Sequence, residues 1–288
     1  MATIFSPLRY PGGKSAMAAY LASLMETNGL TGWTVAEPFA GGAGASIALL
    51  YAGKASRLAL NDADPAIRDF WLAALSDTDN FLRLLQDTPV TVDEWRRQRA
   101  VWERPEGHDL TTRGFATFYL NRVNRSGILR GRPIGGLEQT GAYPITARYN
   151  PARLTQRIAR LAAWRGSISV SSLDALEFLE AVAKRPPFLF LDPPYVGQGR
   201  HLYMNSFRPE HHTRLSDWLK SHPGLPWVLT YDDHPLIREL YAWARITPVS
   251  LRYSAQVKRF ATELLILPPW MRVPTDPPSP LRYAASAA

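Results

Sequence analysis

Short apolar runs alternate along the chain with segments of helical periodicity. Strands are predicted where an apolar run is short and bounded by turn residues. The predicted strands are Thr34–Ala36, Arg57–Leu60, Ser167–Val170, Phe188–Leu191 and Trp227–Tyr231. Helices are predicted after three of them, at Ala45–Tyr51, Asp174–Ala183 and Leu236–Ala244. The last two apolar runs, Ile246–Tyr253 and Glu263–Leu267, have the spacing of a hairpin.

This alternation predicts an α/β fold with a Rossmann-like, mostly parallel sheet, in which ligands bind at the carboxyl ends of the strands. The alternation is interrupted once. Asp64–Leu120 has a helical pattern, Asn124–Pro151 has the Gly, Pro, Asn and Arg content of an ordered loop or small hairpin, and Pro151–Trp164 is helical again. The interrupting segment is predicted to be a mainly helical insertion.

Two structural units and a tail follow from this pattern. Residues 1–64 and 166–272 are predicted to form the sheet domain, and residues 65–165 the helical insert. The tail, residues 273–288, is rich in Pro, Ser and Ala and is expected to be flexible.

Positive charge is concentrated in the predicted insert. The chain carries a net charge of +8, and Thr91–Arg165 contains fourteen Arg, no Lys and six acidic residues, which equals the whole surplus. A regional basic excess is the electrostatic footprint of nucleic-acid binding, and Arg can hold a phosphate or a guanine edge with two hydrogen bonds. The alternative interpretation is a solvated, Arg-rich helical surface.

The rest of the composition excludes several classes. There is no cysteine, which excludes disulfides, thiolate metal sites and cysteine nucleophiles. No apolar run approaches the ~20 residues of a membrane span, and the N-terminus lacks a signal-peptide core. His211-His212 and His201 have no acid or cysteine to complete a metal site. The expectation is a cytoplasmic protein without metal, either a monomer or a weak dimer.

The segment Phe188–Tyr195 carries the most specific chemistry, because a buried apolar strand is predicted to end in Asp192-Pro193-Pro194-Tyr195. An exocyclic amine on a base is a poor nucleophile, since its lone pair is delocalised into the ring. The Asp192 carboxylate and the Pro193 carbonyl, fixed by the proline ring, can accept its two N–H bonds. Tyr195 offers a face for stacking an extruded base. These four residues are the predicted catalytic residues, and a plain turn after a strand is the alternative.

A glycine cluster follows the first predicted strand, where closely spaced glycines let the backbone approach a ligand. Its residues are predicted to bind a cofactor: Glu37, Pro38, Phe39, Gly41, Gly42 and Gly44. Asp62, at the end of the next strand, has the position from which an acid takes both hydroxyls of a ribose. This pattern does not distinguish NAD from S-adenosylmethionine.

Gly13-Lys14-Ser15 imitates a phosphate-binding loop. That motif also needs a glycine five positions before Gly13, where Leu8 stands, so an NTPase is excluded. Lys14 is predicted instead to be a cation near the ligand, with Tyr10 stacking beside it.

The order of these elements resembles the Dam-type (D12 class, alpha-type) adenine-N6 DNA methyltransferases over most of the chain. That family has a Gly-Gly-Lys segment, then Glu-Pro-Phe with glycines, a ribose acid, a helical target-recognition insert and Asp-Pro-Pro-Tyr. The resemblance implies a Rossmann-like sheet, S-adenosylmethionine as methyl donor, and double-stranded DNA from which the target adenine is flipped.

The resemblance also implies roles for individual residues. Four residues match the cofactor-contacting positions of the family: Tyr10, Lys14, Asp62 and Asp192. Asp174 matches the acid near the adenine of the cofactor. Phe118–Arg122 resembles the start of the DNA-contacting loop, and Asn205-Ser206-Phe207 and Leu229–Asp232 fall where the family has related segments.

The sequence departs from the GATC-specific members after Asn121-Arg122, where it resembles adenine methylases of phage and mobile elements. Recognition of GATC is therefore not carried over. Asn121, Arg122, Asn124 and Arg125 are predicted base or phosphate contacts, and Arg130 and Arg132 predicted phosphate anchors. In Arg122–Gly136 only Asn124 can contact adenine with two hydrogen bonds. A short or relaxed site of roughly two or three base pairs is expected, because each such contact supplies only ~1–3 kcal/mol.

Two other functions fit part of the pattern. An NAD-dependent dehydrogenase would explain the glycine loop but not Asp192-Pro193-Pro194-Tyr195. A catalytically inactive DNA-binding regulator on the same fold would explain the Arg excess, but it gives no reason for Asp192 and Tyr195.

Overall fold

The computed structural model describes residues 5–10, 13–196, 207–252, 260–278 and 281–283. Its strands are β1 Thr34–Glu37, β2 Arg57–Asn61, β3 Ile168–Ser171, β4 Phe188–Leu191, β5 Trp227–Asp232, β6 Arg245–Arg252, β7 Phe260–Leu267 and β8 Arg282–Tyr283. Its α-helices are α1 Ala18–Thr27, α2 Gly44–Tyr51, α3 Pro65–Ser76, α4 Thr78–Asp87, α5 Val92–Glu103, α6 Leu110–Val123, α7 Pro151–Ala162, α8 Ala175–Ala183, α9 Pro209–Ser221 and α10 Pro235–Leu240.

All of the strands belong to one sheet with the order β3-β2-β1-β4-β5-β7-β6-β8. The first five are parallel, and β7, β6 and β8 are joined to them by antiparallel pairings. The predicted hairpin is therefore the β6–β7 pair. The strand order reverses at β1 and β4, which places the ligand crevice of such a fold at their carboxyl ends. The predicted Rossmann-like, mostly parallel α/β fold is confirmed.

β4 shows why the sequence forms this sheet. All four of its residues are buried, and they alternate between the two apolar layers. Phe188 and Phe190 pack into the layer with α1, α2 and the helices α3–α7, while Leu189 and Leu191 pack into the layer with α8 and α9. A parallel strand covered on both faces requires this continuous apolar run. The strand therefore delivers Asp192 to the edge of a rigid core.

Five helices, α3 to α7, lie between β2 and β3 in the chain, where the helical insertion was predicted. The helical pattern of residues 64–120 is divided into four helices, and Asp64, Thr91 and Asp109 accept the N-terminal N–H groups of three of them. The first and last of these four pack closely at Gly114, where a Cβ would lie 2.5 Å from the Asp69 carbonyl oxygen. The apolar periodicity of the sequence runs on across the ends of these helices and so does not mark them. The capping residues are the sequence feature that indicates where a new helix begins. The division into domains stays a prediction.

Two elements near the C-terminus differ from the prediction. α10 ends at Leu240, four residues early, and Trp243 turns back to donate a hydrogen bond to the Leu240 carbonyl at 2.9 Å. In the tail, Leu281 is buried and Arg282–Tyr283 pair with β6. A two-residue strand is too short to give a pattern in the sequence, and the flexibility expected of the tail stays a prediction. No helix in the described part of the chain is long and apolar enough to cross a membrane.

Candidate active site

Acidic residues gather at the carboxyl edge of the parallel strands. Glu37 ends β1, Asp62 follows β2, Asp192 follows β4 and Asp232 ends β5. Glu263 of the antiparallel β7 pairs with Asp232 and so joins the same edge. The chain brings these carboxylates together because parallel strands end on one side of a sheet.

Asp192 is held by three side chains. Thr230 of β5 donates a hydrogen bond of 2.6 Å to Oδ1, and the Tyr195 hydroxyl lies 3.4 Å from the same oxygen. Lys14 Nζ donates to Oδ2 at 3.0 Å. The Asp192 side chain keeps 20% of its surface exposed. Its carboxylate is thus fixed in orientation while part of it remains accessible.

Lys14 is a buried cation supplied by a 3-10 helix, Lys14–Met17, near the N-terminus. Besides Asp192, its Nζ lies 3.9 Å from Glu263 Oε1 and 5.0 Å from the centroid of the Tyr195 ring. The structure therefore joins Lys14, predicted near the cofactor, to two of the predicted catalytic residues. The other two adjoin them: Pro193 is buried and Pro194 is half-buried.

The glycine loop, residues 38–44, packs against the N-terminal segment, residues 5–10 and 13–15. Gly41 has φ +45°, which favours glycine, and a Cβ there would lie 2.8 Å from the Tyr10 ring. Its N–H donates to Asp62 Oδ2 at 2.8 Å. A Cβ at Gly42 would lie 3.1 Å from Ser6 Oγ, and one at Gly44 would collide with Ser15. Tyr10, Gly41 and Asp62 thus form one contiguous group, as their predicted common role requires.

Asp62 titrates close to neutral pH. Burial raises the pKa of its carboxyl to about 6, against the lowering effect of hydrogen bonds from the backbone N–H groups of Asp64 and Gly41. These two bonds measure 3.0 and 2.8 Å. The carboxylate is held by the backbone of the glycine loop and of Asp64, the residue that caps α3, so it is in place to bind a hydroxyl ligand.

Glu37 lies just before the glycine loop in the chain, and its carboxyl group contacts α2. It is buried and accepts a 2.5 Å hydrogen bond from Ser46 Oγ. Burial raises its pKa to about 8, with the Ser46 bond opposing and the charges of Asp192 and Asp62 adding to the rise. Glu37 is therefore mostly protonated at neutral pH and fastens the start of α2 to β1.

Asn61 is a site residue that the sequence prediction missed. It is buried, and its Nδ2 donates to the carbonyls of Pro38 and Leu173, both at 3.1 Å. Its Oδ1 accepts the Leu173 N–H at 2.8 Å and the Ser171 hydroxyl at 2.7 Å. One amide thus ties together the carboxyl ends of β1, β2 and β3. The only signal in the sequence was a polar residue directly before the strand-end acid.

Asp174, predicted near the cofactor's adenine, is exposed and caps α8 by accepting the Leu176 N–H at 2.9 Å. Its neighbour Leu173 exchanges hydrogen bonds with Asn61 of the site. The structure gives Asp174 a capping partner and leaves its predicted role as a prediction.

Aromatic rings line the other side of Asp192. The Phe39 ring lies edge to face with Phe207 at 5.6 Å, and Phe207 lies 4.9 Å from the ring of His212. His212 is buried, its Nδ1 is 2.7 Å from the Tyr231 hydroxyl, and burial lowers its pKa to about 4. Tyr231 in turn lies 6.2 Å from the Tyr195 ring. His212 is therefore a neutral packing residue of this wall.

The described residues contain no group of three or more His, Cys, Asp or Glu that could hold a metal ion. His201, Asn205 and Ser206 lie outside the described residues.

Asn121 differs from its prediction as a DNA contact. It is buried, and its Oδ1 accepts the Arg9 N–H at 2.7 Å while its Nδ2 donates to the Arg9 carbonyl at 2.7 Å and the Gly127 carbonyl at 2.9 Å. The amide pairs with the Arg9 backbone as a strand would. Its hydrogen bonds are used within the protein, so it supports the predicted loop from inside.

The side chains of Arg122 and Asn124 are also buried, and they form hydrogen bonds within the protein. Arg122 donates to the Arg148 carbonyl through Nε, at 2.9 Å, and through Nη2. Asn124 donates to the Ile128 and Leu129 carbonyls at 2.9 Å and accepts the Trp95 indole N–H at 2.7 Å. Direct DNA contact by these two side chains would cost several hydrogen bonds that are satisfied in the structure.

The other three predicted DNA contacts, Arg125, Arg130 and Arg132, have exposed side chains. None of them forms an ion pair within the described parts of the chain, and the Arg125 N–H pairs with the Arg132 carbonyl at 3.0 Å. The structure brings these three guanidinium groups onto the loop surface and separates them from Asn121, Arg122 and Asn124.

Comparison with known proteins agrees with this geometry. The family model for D12 class N6 adenine-specific DNA methyltransferases matches residues 10–255 of the 288. This match covers the glycine loop, the strand-end acids and Asp192–Tyr195, and it overturns the dehydrogenase alternative. No match was found among curated proteins. The chain belongs to the D12 class of N6 adenine-specific DNA methyltransferases and is a DNA (adenine-N6)-methyltransferase.

Proposed function

We propose that the protein transfers the methyl group of S-adenosylmethionine to N6 of an adenine flipped out of duplex DNA, with Asp192, Pro193, Pro194 and Tyr195 at the reacting base. The observation that carries this proposal is the setting of Asp192. Its carboxylate stands at the carboxyl end of β4, next to the glycine loop, and is oriented by Thr230 and Lys14. A fixed acceptor at the switch point of the sheet is what an amine substrate requires.

The residues around the glycine loop fit S-adenosylmethionine. Asp62 offers a carboxylate that is held by two backbone N–H groups and suited to ribose hydroxyls. Gly41 lets the Tyr10 ring pack directly against the backbone of the loop, next to the Asp62 carboxylate. When bound, the cofactor supplies a methyl group on a positively charged sulfonium. The carboxylates of Asp62, Asp192 and Glu263 make the edge of the sheet favourable for such a cation.

The proposed chemistry at the base needs only this chain's own groups. Asp192 and the Pro193 carbonyl accept the two N–H bonds of the amine and localise its lone pair on nitrogen. Lys14 and Thr230 keep the Asp192 carboxylate in one orientation, so little reorganisation is needed in the transition state. Transfer of the methyl group from sulfur to N6 would leave a neutral thioether, S-adenosylhomocysteine, and the methylated amine would lose one proton to solvent.

Tyr195 is proposed to stack on the flipped adenine. Its ring is half-buried, with Lys14 Nζ 5.0 Å and the Tyr231 ring 6.2 Å from its centroid. Flipping costs a few kcal/mol of unstacking, roughly what a rigid aromatic platform can return at ~1–3 kcal/mol per base.

For the duplex, we propose that Arg125, Arg130 and Arg132 contact DNA directly, since their side chains are exposed. Asn121, Arg122 and Asn124 support the loop through the buried contacts described above. Because its substrate is DNA, we propose that the enzyme acts in the cytoplasm, where the genome lies.

The specificity is expected to be relaxed. Asn124, the one loop amide able to read adenine, is fully buried and hydrogen-bonded within the protein. The exposed loop residues are mainly arginines, which can hold phosphates or a guanine edge but do not read adenine or thymine. Incubating the purified enzyme with S-adenosylmethionine and plasmid DNA, followed by mapping of N6-methyladenine, is expected to show methylation at sites with two or three defined base pairs.

The same experiment tests the proposed function. Absence of N6-methyladenine would reject the methyl transfer and leave an inactive DNA-binding regulator as the explanation. Methylation confined to one motif of four or more defined bases would reject only the relaxed specificity.

Cofactor affinity is expected to depend on pH through Asp62. The ionised carboxylate is the better acceptor for ribose hydroxyls, and its pKa is about 6. Affinity for S-adenosylhomocysteine, measured by calorimetry, should therefore rise up to about tenfold from pH 5 to pH 7 and then level off. Asp62→Asn should bind weakly at every pH without this rise.

The matched control is Asp79→Asn, which removes an exposed carboxylate from α4. It should keep the pH dependence of the wild type. If Asp62→Asn kept it too, the titrating group would be another residue and the ribose assignment would fail.

A further inference from the structure

A second group of arginines lies beside the predicted DNA loop, where the N-terminal segment meets α7. Arg153, Arg157 and Arg160 stand at positions i, i+4 and i+7 of α7 and so share one face of the helix. The adjacent face, one residue further along at each position, carries Leu154, Ile158 and Leu161, all of them buried. Arg148 precedes the helix, and Arg9 belongs to the N-terminal segment. We call these five arginines the α7 arginine patch.

Two members of the patch bind backbone carbonyls, and a third stacks on an aromatic ring. Arg9 Nη1 donates to the Asn124 carbonyl at 3.1 Å, and Arg157 Nη1 to the Ser6 carbonyl at 3.4 Å. Arg160 stacks over the Tyr51 ring at 4.1 Å. Within the described ranges no carboxylate lies within ion-pair distance of any of the five guanidinium groups. Arginines elsewhere, on α5 for example, are paired with acids of their own helix.

A sixth cation lies beneath the patch. Arg122 is buried, and its guanidinium reaches the carbonyls of Arg148 and Pro7. Burial, and after it the positive charges of Arg9, Arg157 and Arg148, lower its pKa to about 9. Six positive charges are therefore collected, and none of them forms an ion pair with another described residue.

The position of Arg153 adds to this imbalance. It lies in the first turn of α7, where the helix dipole is positive, and this turn contains no acidic residue. A cation at this end of a helix costs ~0.3–1 kcal/mol, whereas an anion there is stabilised by a similar amount. A bound anion would remove both the repulsion among the arginines and this unfavourable interaction.

We propose that the α7 arginine patch is a second DNA-binding surface, which holds backbone phosphates flanking the target adenine. The proposal rests on the proposed function, because it takes duplex DNA as the polyanion. The patch is continuous with the site through adjacent residues: Arg9 belongs to it, and Tyr10 covers Gly41. A duplex is long enough to contact both regions, since it carries one phosphate per strand about every 3.4 Å.

The decisive variant is the double replacement Arg148→Gln with Arg153→Gln, because both side chains are exposed and make no hydrogen bond or ion pair in the described structure. The matched control is Arg83→Gln with Arg185→Gln, which removes two exposed arginines, from α4 and from the turn after α8. Both proteins lose two charges, so any general electrostatic effect is the same in each.

The measurement is the slope of log Kd against log salt concentration for a duplex of about 20 base pairs. Each lost phosphate contact should reduce the slope by about 0.9, so the patch variant should lose about 1.8 and the control much less. For the patch variant, the KM for DNA should rise by a larger factor than kcat falls. Arg148→Lys with Arg153→Lys should restore the slope, because the charges return.

Equal slopes in the patch variant and the control would overturn the proposal. Thermal stabilisation of the patch variant by S-adenosylhomocysteine shows that it is folded. Failure of the proposed function would be seen separately, as absence of N6-methyladenine in the wild-type reaction.

Discussion

Replacing Asp192 with alanine is expected to lower kcat for adenine methylation at least ~10²-fold while the protein remains folded. Removing one fixed group that stabilises charge in the transition state usually costs this much. The fold should survive because Lys14 keeps Glu263 as a neighbouring carboxylate at 3.9 Å, so its charge is not left alone in the interior. The measurement is single-turnover methyl transfer with saturating DNA and cofactor.

A second variant separates charge from shape. Asp192→Asn keeps an acceptor for the Thr230 hydroxyl but loses the negative charge, and it should be nearly as inactive as the alanine variant. The matched control is Asp233→Ala, at the end of the neighbouring strand, where the carboxylate pairs with Arg238 on the surface. It should keep near wild-type turnover. An Asp192→Ala enzyme that retained more than a tenth of the activity would contradict the proposed role.

The position of Asp192 could be predicted because a buried strand has a distinctive sequence. Four apolar residues followed by an acid and two prolines fix both the strand and its end. The same logic placed Asp62, since every parallel strand ends at the same edge. Sequence could not pair Asp192 with Lys14, which is 178 residues away, because such a contact depends on the packing of the whole domain.

The predicted DNA loop shows where residue type misleads. Asn and Arg in a Gly-rich loop are typical of nucleic-acid contacts, yet three of the six predicted residues are interior hydrogen-bonding groups. Asn121 meets Arg9, 112 residues away in sequence, and Asn124 meets Trp95 on α5. A loop without regular structure must satisfy its buried backbone groups with side chains, and Asn is the residue best suited to that. Only tertiary contacts distinguish such an amide from one that faces DNA.

These contacts give the N-terminal segment a central position. Its Arg9 backbone pairs with Asn121 at the base of the DNA loop, its Tyr10 ring covers Gly41, and Lys14 holds Asp192. A few consecutive residues thus touch the proposed DNA, cofactor and catalytic regions. Displacing this segment should therefore impair DNA binding, cofactor binding and catalysis together.

Gly127→Ala is expected to displace that segment. Gly127 has φ +78°, and a Cβ there would collide with the Arg9 carbonyl oxygen, the same atom that Asn121 binds. Positive φ alone should cost ~1–2 kcal/mol for alanine. The collision should add ~1–3 kcal/mol, as overpacking does in a close-packed interior. We expect a lower melting temperature, weaker binding of S-adenosylhomocysteine and a lower kcat/KM.

Gly136 supplies the control, because its φ of +79° is nearly the same and a Cβ there would meet nothing within 4 Å. Gly136→Ala therefore carries the backbone strain without the collision, and the difference between the two variants measures the contact with Arg9. Gly127→Ala should be less stable than Gly136→Ala by the ~1–3 kcal/mol of the collision, and only Gly127→Ala should lose cofactor affinity. Equal losses of stability and unchanged cofactor binding in both would mean that the segment moves independently of the loop. The close fit between Gly127 and Arg9 would then have no part in linking the DNA loop to the cofactor site.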